Sequence, residues 1–321
     1  MEFNEIKILT DRIKTNISKV IIGKDDTIQL ILIALICSGH ILLEDIPGVG
    51  KTMLAKCLAK SVSCDFKRVQ FTPDLLPSDL TGINYYNQKE CEFVFRPGPV
   101  FTNIVLADEI NRATPRTQAS LLECMEERQV TVDGDTRVLG RPFFVIATQN
   151  PIETQGTFPL PEAQLDRFFM RLRLGYPSKS ESKAILDRFI NANPFAYLES
   201  VADIQDISDA QDSYCNVKVN DAVKDYIVNI VEETKKYEKI ALGISPRGCL
   251  CLMKASQVMA ILNGRDYVIP DDVKKLAKPI LAHRLILKGH YMNSESAAAE
   301  SVMDEILQNV AVPLEDIQDK G

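Results

Sequence analysis

The stretch Asp45-Ile46-Pro47-Gly48-Val49-Gly50-Lys51-Thr52 places two glycines, a lysine and a threonine at a spacing that can hold a polyphosphate. Gly48 and Gly50 let successive backbone N–H groups converge on phosphate oxygens, Lys51 brings positive charge to the β and γ oxygens, and the Thr52 hydroxyl is suited to Mg²⁺. Pro47, Val49 and Met53 supply the intervening backbone, so Pro47 to Met53 is the candidate nucleotide-binding stretch. Asp45 stands where G-x-x-x-x-G-K-[ST] expects its first glycine. Asp tolerates positive φ better than most side chains, so the turn is feasible, with some electrostatic cost for a carboxylate near phosphates. The bland alternative is an ordinary glycine-containing loop between a strand and a helix.

Residues further along favour the phosphate reading. Asn103 to Glu109 is an apolar run ending in Asp108 and Glu109. At the C-terminal end of a parallel strand, Asp108 can hold the Mg²⁺ hydration shell and Glu109 can orient an attacking water. Alone, such a pair reads as a solvated strand end. Asn150, closing the apolar run Pro142 to Thr148, can reach a γ-phosphate or that water; its alternative is a turn-forming Asn-Pro.

The elements that must position these groups follow from periodicity. Ile41 to Leu43 reads as a buried strand and Met53 to Ala59 as a helix, with the glycine loop between them. Ahead of them lie a helix over 4 to 19 and a second with apolar face Ile28, Ile31, Leu32, Leu35 and Ile36, started by Asp25 and Asp26. Between these, Val20 to Gly23 reads on pattern as core plus a turn; Ile22 and Gly23 are nonetheless carried as candidate nucleotide-binding positions. Phe66 to Phe71 is a strand, Thr114 to Glu127 a helix, and two hairpins are expected, one about Asn87 to Glu90 and one about Asp133-Gly134-Asp135. Gly175-Tyr176-Pro177 marks a linker, beyond which 180 to 191, 220 to 236, 246 to 262 and 271 to 283 read as helices. The patch Val302, Met303, Ile306, Leu307 and Val310 forms one face of a last helix, and the end from Pro313 to Gly321 reads as mobile. The expected architecture is an α/β domain with a parallel sheet over residues 1 to 176 and a smaller all-helical domain over 177 to 321.

Composition narrows the classes. A chain of 321 residues is long enough for two domains, and 45% hydrophobic with 25% charged residues is globular usage. The formal net charge of −7 argues against extended contact with nucleic acid or anionic membrane. Eight cysteines without C-x-x-C spacing read as reduced core thiols. Met1 to Thr10 has no basic, apolar leader pattern, and Ile28 to Leu43 is broken by Ser38, Gly39 and His40, so a cytoplasmic protein without membrane insertion is expected.

Four ordered motifs, Asp45 to Thr52, Leu106 to Ala113, Ala147 to Pro151 and Phe158 to Phe168, closely resemble the MoxR family of AAA+ ATPases over about Val20 to Leu285. The resemblance implies an α/β P-loop domain and a helical lid with ATP between them. It implies Mg²⁺-dependent ATP hydrolysis by a ring-shaped homo-oligomer, a hexamer, that remodels or activates a client protein. Such families are often paired with a von Willebrand factor A domain protein. It further implies that Lys51 and Thr52 are Walker A residues, Asp108 and Glu109 Walker B, Asn150 sensor 1, Arg167 an arginine finger and Arg247 sensor 2. For Arg167 the plain alternative is an ion pair with Glu162 or Asp166, and Arg112 or Arg116 also compete for the finger role; for Arg247 it is a residue of a helix N-terminal turn. The hairpins fall at the helix-2 insert and pre-sensor 1 positions.

The same residues bear on two rival classes. A nucleic-acid-translocating motor wants a basic hairpin, whereas Asp133 and Asp135 make this tip acidic. A nucleotide-gated scaffold has no need of a water-polarising acid such as Glu109.

Overall fold

The computed structural model describes residues 1–151, 156–190, 193–289 and 295–313. Part of the Pro151 to Pro161 loop, the end of the helix expected to reach 191, and the tail from Leu314 lie outside the described residues. In chain order the helices are α1 (Phe3–Ser18), α2 (Asp25–Ile36), α3 (Lys51–Ser61), α4 (Pro77–Thr81), α5 (Pro115–Glu127), α6 (Glu162–Leu165), α7 (Lys179–Phe189), α8 (Ile204–Ser213), α9 (Asp221–Lys236), α10 (Pro246–Leu262), α11 (Pro270–Leu281) and α12 (Glu295–Asn309). The strands are β1 (Ile41–Glu44), β2 (Phe66–Gln70), β3 (Gly82–Asn87), β4 (Glu92–Pro97), β5 (Ile104–Asp108), β6 (Gln129–Val132), β7 (Asp135–Val138), β8 (Phe144–Gln149), β9 (Met170–Leu172), β10 (Ile240–Leu242) and β11 (Ile286–Leu287).

Two compact units result, Ile8–Asp212 and Ser213 onward, the latter taking in Glu2–Lys7. The first is built on a five-stranded sheet in the order β2-β5-β8-β1-β9, every pair parallel. Strands β1 and β5 are buried throughout, as parallel strands covered on both faces must be. Because all five run the same way, the ends of β1, β5 and β8 bring the glycine loop, Asp108 and Asn150 to one edge of the sheet. Apolar residues of α5, among them Leu121, Leu122 and Met125, join Val105, Val145 and Phe143 in the core.

Both hairpins form. At the β6–β7 tip Asp133 has φ 52° and Gly134 φ 92°, the pair of positive values a two-residue type I′ turn demands. The hairpins touch: Asn84 Nδ2 donates to Asp133 Oδ2 at 2.8 Å, and the Arg137 guanidinium lies 4.1 Å from the Phe95 ring centre.

The expected division after residue 176 differs from the structural one. Ser61 O accepts the N–H groups of Val201 and Ala202, Asn16 Nδ2 donates to Glu199 O at 2.8 Å, and Gln211 Nε2 donates to Leu35 O at 2.8 Å. The segment 177–212 is therefore stitched to the first unit.

In the second unit, α9 to α12 bury Tyr226, Ile230, Leu252, Val273, Leu276 and Ile280, with Val302, Met303, Ile306 and Leu307 completing the core. The short antiparallel pair β10–β11 adds to the helices. Among the described residues no helix is long and apolar enough to cross a membrane.

Candidate functional site

Residues 45 to 50 link β1 to α3 through two left-handed glycines, Gly48 at φ 85° and Gly50 at φ 96°. A Cβ at either would meet nothing within 4 Å, so glycine is needed for the backbone conformation rather than for space. The first turn of α3 leaves N–H groups without helical partners, an arrangement suited to phosphate. Lys51 Nζ donates to the Asp45 carbonyl at 2.7 Å. Burial pushes the Lys51 ammonium below its ordinary pKa, while the charges of Asp45, Asp108 and Glu109 act in the opposite direction.

Asp45 differs from expectation in two ways. It is not one of the left-handed residues among those described, so the turn asks nothing unusual of it. Its buried carboxylate accepts the N–H of Leu174 at 2.5 Å on one oxygen and that of Gly175 at 3.0 Å on the other. The anticipated cost near phosphates is offset because both oxygens are engaged by backbone donors.

The acidic pair is held from both neighbouring strands. Thr148 Oγ1, on β8, donates to Asp108 Oδ1 at 2.6 Å and accepts the Glu109 N–H at 2.8 Å. From β2, Arg68 donates to Asp108 Oδ2 through Nε at 3.0 Å and Nη2 at 2.7 Å. Glu109 adopts φ 57°, an uncommon value for a side chain of its size, and its Oε2 receives Gln70 Nε2 at 2.7 Å and lies 2.9 Å from Arg112 Nε. Asn150 is buried at the end of β8.

These groups surround a cleft of ≈ 450 Å³. Of the expected residues, Pro47, Gly48, Gly50, Lys51, Thr52 and Met53 line it, together with Asp108, Glu109 and Asn150. Val49, Ile22, Gly23 and Arg167 are not in its lining. Ile22 is half-buried, and Gly23 is exposed with φ 70°, a left-handed value that favours glycine for the backbone conformation. Arg167 pairs with Glu126 at 3.1 Å, a partner other than the Glu162 or Asp166 expected. Arg247 is half-buried in the first turn of α10, in the second unit. Sequence reasoning missed Lys56, Arg68 and Gln70, which also line the cleft. The signal for the last two was their i, i+2 spacing on a strand beside the acidic one.

The donor set suits a hard cation and a polyphosphate. Thr52 and Asp108 offer oxygen ligands only, Lys51 offers charge, and the glycine loop offers N–H groups with open space before them. A parallel sheet carrying a glycine-lysine-threonine loop after one strand and paired acids after another defines a P-loop nucleoside triphosphatase.

Comparison with known proteins narrows the class. Residues 40–170 match the ATPase family associated with various cellular activities (AAA), and residues 232–308 match the AAA lid domain. The chain is 41% identical to Chaperone MoxR1 of Mycobacterium tuberculosis, over 92% of this chain and 80% of the relative. It is 53% identical to the uncharacterized protein YeaC of Bacillus subtilis, over 94% and 93%, and 29% identical to Protein MoxR of Methylorubrum extorquens, over 94% of each. The crystal structure of a candidate ATPase from Cytophaga hutchinsonii superposes with a TM-score of 0.87 at 38% identity, covering 96% of both chains. The chain belongs to the MoxR family of AAA+ ATPases.

Proposed function

We propose that the cleft binds ATP with Mg²⁺ and hydrolyses it within a ring of identical subunits, a hexamer, to remodel or activate a client protein in the cytoplasm. The observation that carries this reading is the convergence of Lys51, Thr52, Asp108, Glu109 and Asn150 on one cleft at the ends of three adjacent strands. Bound Mg²⁺ would neutralise charge developing on the transferred phosphoryl group, and Thr52 with Asp108 would hold it. Lys51 leaves the Asp45 carbonyl for phosphate oxygens, the stronger acceptors. Glu109 orients and deprotonates water, and Asn150 fixes that water or the terminal phosphate. Arg167 is assigned to a neighbouring subunit's cleft and Arg247 to nucleotide sensing in the lid. The family supports a chaperone-like role, with a von Willebrand factor A domain protein as one candidate partner.

A nucleic-acid motor is disfavoured by the exposed Asp133 and Asp135 at the hairpin tip. The test separates binding from chemistry. Lys51→Ala is expected to abolish nucleotide binding in calorimetry. Glu109→Gln is expected to keep binding and lower phosphate release by about 10²- to 10⁴-fold. Equal loss of binding in both variants would refute the roles. Glu109→Gln held with ATP is also the form from which a client should be recoverable.

A further inference from the structure

Strand β2 presents Arg68 and Gln70 on one face, two residues apart, and both line the cleft. Arg68 Nη2 is 2.7 Å from Asp108 Oδ2 and 2.8 Å from Gln70 Oε1, while Gln70 Nε2 is 2.7 Å from Glu109 Oε2. One guanidinium therefore joins the metal-ligand candidate to the water-activating candidate through a single amide. Since Thr148 occupies Asp108 Oδ1, both Asp108 oxygens are engaged.

Building on the Mg²⁺-ATP reading of the cleft, we propose that Arg68 is a positioning residue that selects triphosphate over diphosphate. Its guanidinium serves as the counter-cation of Asp108 and exchanges that carboxylate for the γ-phosphate. A guanidinium on Asp108 repels a divalent cation held there directly or through its bound water, so metal binding favours the departure of Arg68 from Asp108. With a triphosphate, Arg68 gains an anion whose oxygens match its planar fork as well as the carboxylate does. With a diphosphate it has no such replacement, and the pair with Asp108 opposes metal binding. The Arg68 side chain is 47% exposed, so it is free to turn without breaking the core.

The experiment measures equilibrium binding by calorimetry, using ADP and the non-hydrolysable AMP-PNP at fixed Mg²⁺, with Mn²⁺ affinity by electron paramagnetic resonance as a second readout. Arg68→Met removes the charge and keeps the chain length. It should tighten Mg²⁺-ADP and Mn²⁺ binding and lower the AMP-PNP to ADP preference by about tenfold or more. Arg68→Lys keeps the charge without the fork and should recover part of the preference; it also serves if Arg68→Met does not fold. A preference and Mn²⁺ affinity unchanged from wild type in the folded variants would overturn the assignment. Wild type binding neither nucleotide would instead overturn the reading of the cleft.

Discussion

The Asp45 carboxylate holds the backbone N–H of Gly175 at 3.0 Å, tying the first residue of the phosphate-binding loop to the chain that leaves the edge strand β9. Its other oxygen takes the N–H of Leu174. Asp45→Ala leaves both donors without their partner, one of them buried, and hydrogen bonds to charged groups contribute about 1.5–3 kcal/mol each. We expect a loss of about 3–6 kcal/mol on that basis, and a midpoint of thermal unfolding lower by roughly 2–4 °C per kcal/mol. Asp45→Gly, which restores the residue usual at this position, should be no milder. A glycine variant as stable as wild type would contradict this account.

A second prediction concerns His40, just ahead of β1. Its Nδ1 accepts the Val145 N–H at 3.0 Å, so Nε2 carries the proton and donates to Met125 O at 3.0 Å. The ring is buried and neutral, bridging β8 to the end of α5. His40→Leu preserves apolar bulk but orphans one N–H and one carbonyl, costing about 1–3 kcal/mol for each. Denaturant unfolding should show a total loss of roughly 2–6 kcal/mol, and a loss below about 1 kcal/mol would show that the two groups find other partners.

How far the sequence spoke depended on how local each signal was. The glycine loop, the acidic pair and both hairpins announce themselves within a few residues, because turn chemistry and periodicity are local properties. The part of Asp45 depends on backbone 129 residues away, and its type alone suggested only a tolerated turn. Arg68 and Gln70 read as ordinary polar positions of a strand, since Asp108 and Glu109 meet them only once β2 pairs with β5 in register. Strand β9 spans Met170–Leu172, too few residues to establish alternation. Helix α8 is not among the helices expected from the sequence, although Asp203 and Asp206 cap each other's N–H at its start, a D-x-x-D form of the capping box. The linker reading of Gly175-Tyr176-Pro177 was sound as local composition, but the hydrogen bonds that carry 177–212 back to the first unit come from Ser61, Asn16 and Leu35.

The cysteines give a third prediction. Burial pushes the thiols of Cys57, Cys64 and Cys124 up to about 12, with the carboxylates of Asp65 and Glu123 adding to the effect at Cys64 and Cys124. At pH 8 about one in ten thousand of each would be thiolate, the form that alkylates. Cys91 and Cys215 are exposed. Iodoacetamide followed by mass spectrometry should label these two in the native protein and the other three only after unfolding. Rapid native labelling of Cys57 or Cys124 would show that the core opens far more readily than its packing implies.

The last prediction concerns Arg167, which lies between α6 and the fully buried Phe168. The anchored backbone leaves its side chain 35% exposed and paired with Glu126 of the same chain at 3.1 Å. To act on a neighbour's γ-phosphate, Arg167 must leave Glu126, and an exposed pair of this kind is worth only about 0.2–1 kcal/mol. Glu126→Gln should therefore raise hydrolysis by less than about fivefold. Arg167→Ala should lower it by about 10³- to 10⁵-fold while leaving nucleotide affinity nearly unchanged. The decisive measurement mixes Arg167→Ala, which keeps an intact cleft, with Glu109→Gln, which keeps an intact guanidinium, once each is shown inactive and assembled. A finger acting between subunits restores hydrolysis in the mixed assemblies, because an Arg167→Ala cleft receives the arginine of its Glu109→Gln neighbour. Mixed assemblies as inactive as either parent would remove the trans assignment, and full activity of Arg167→Ala alone would leave the residue as nothing more than the partner of Glu126.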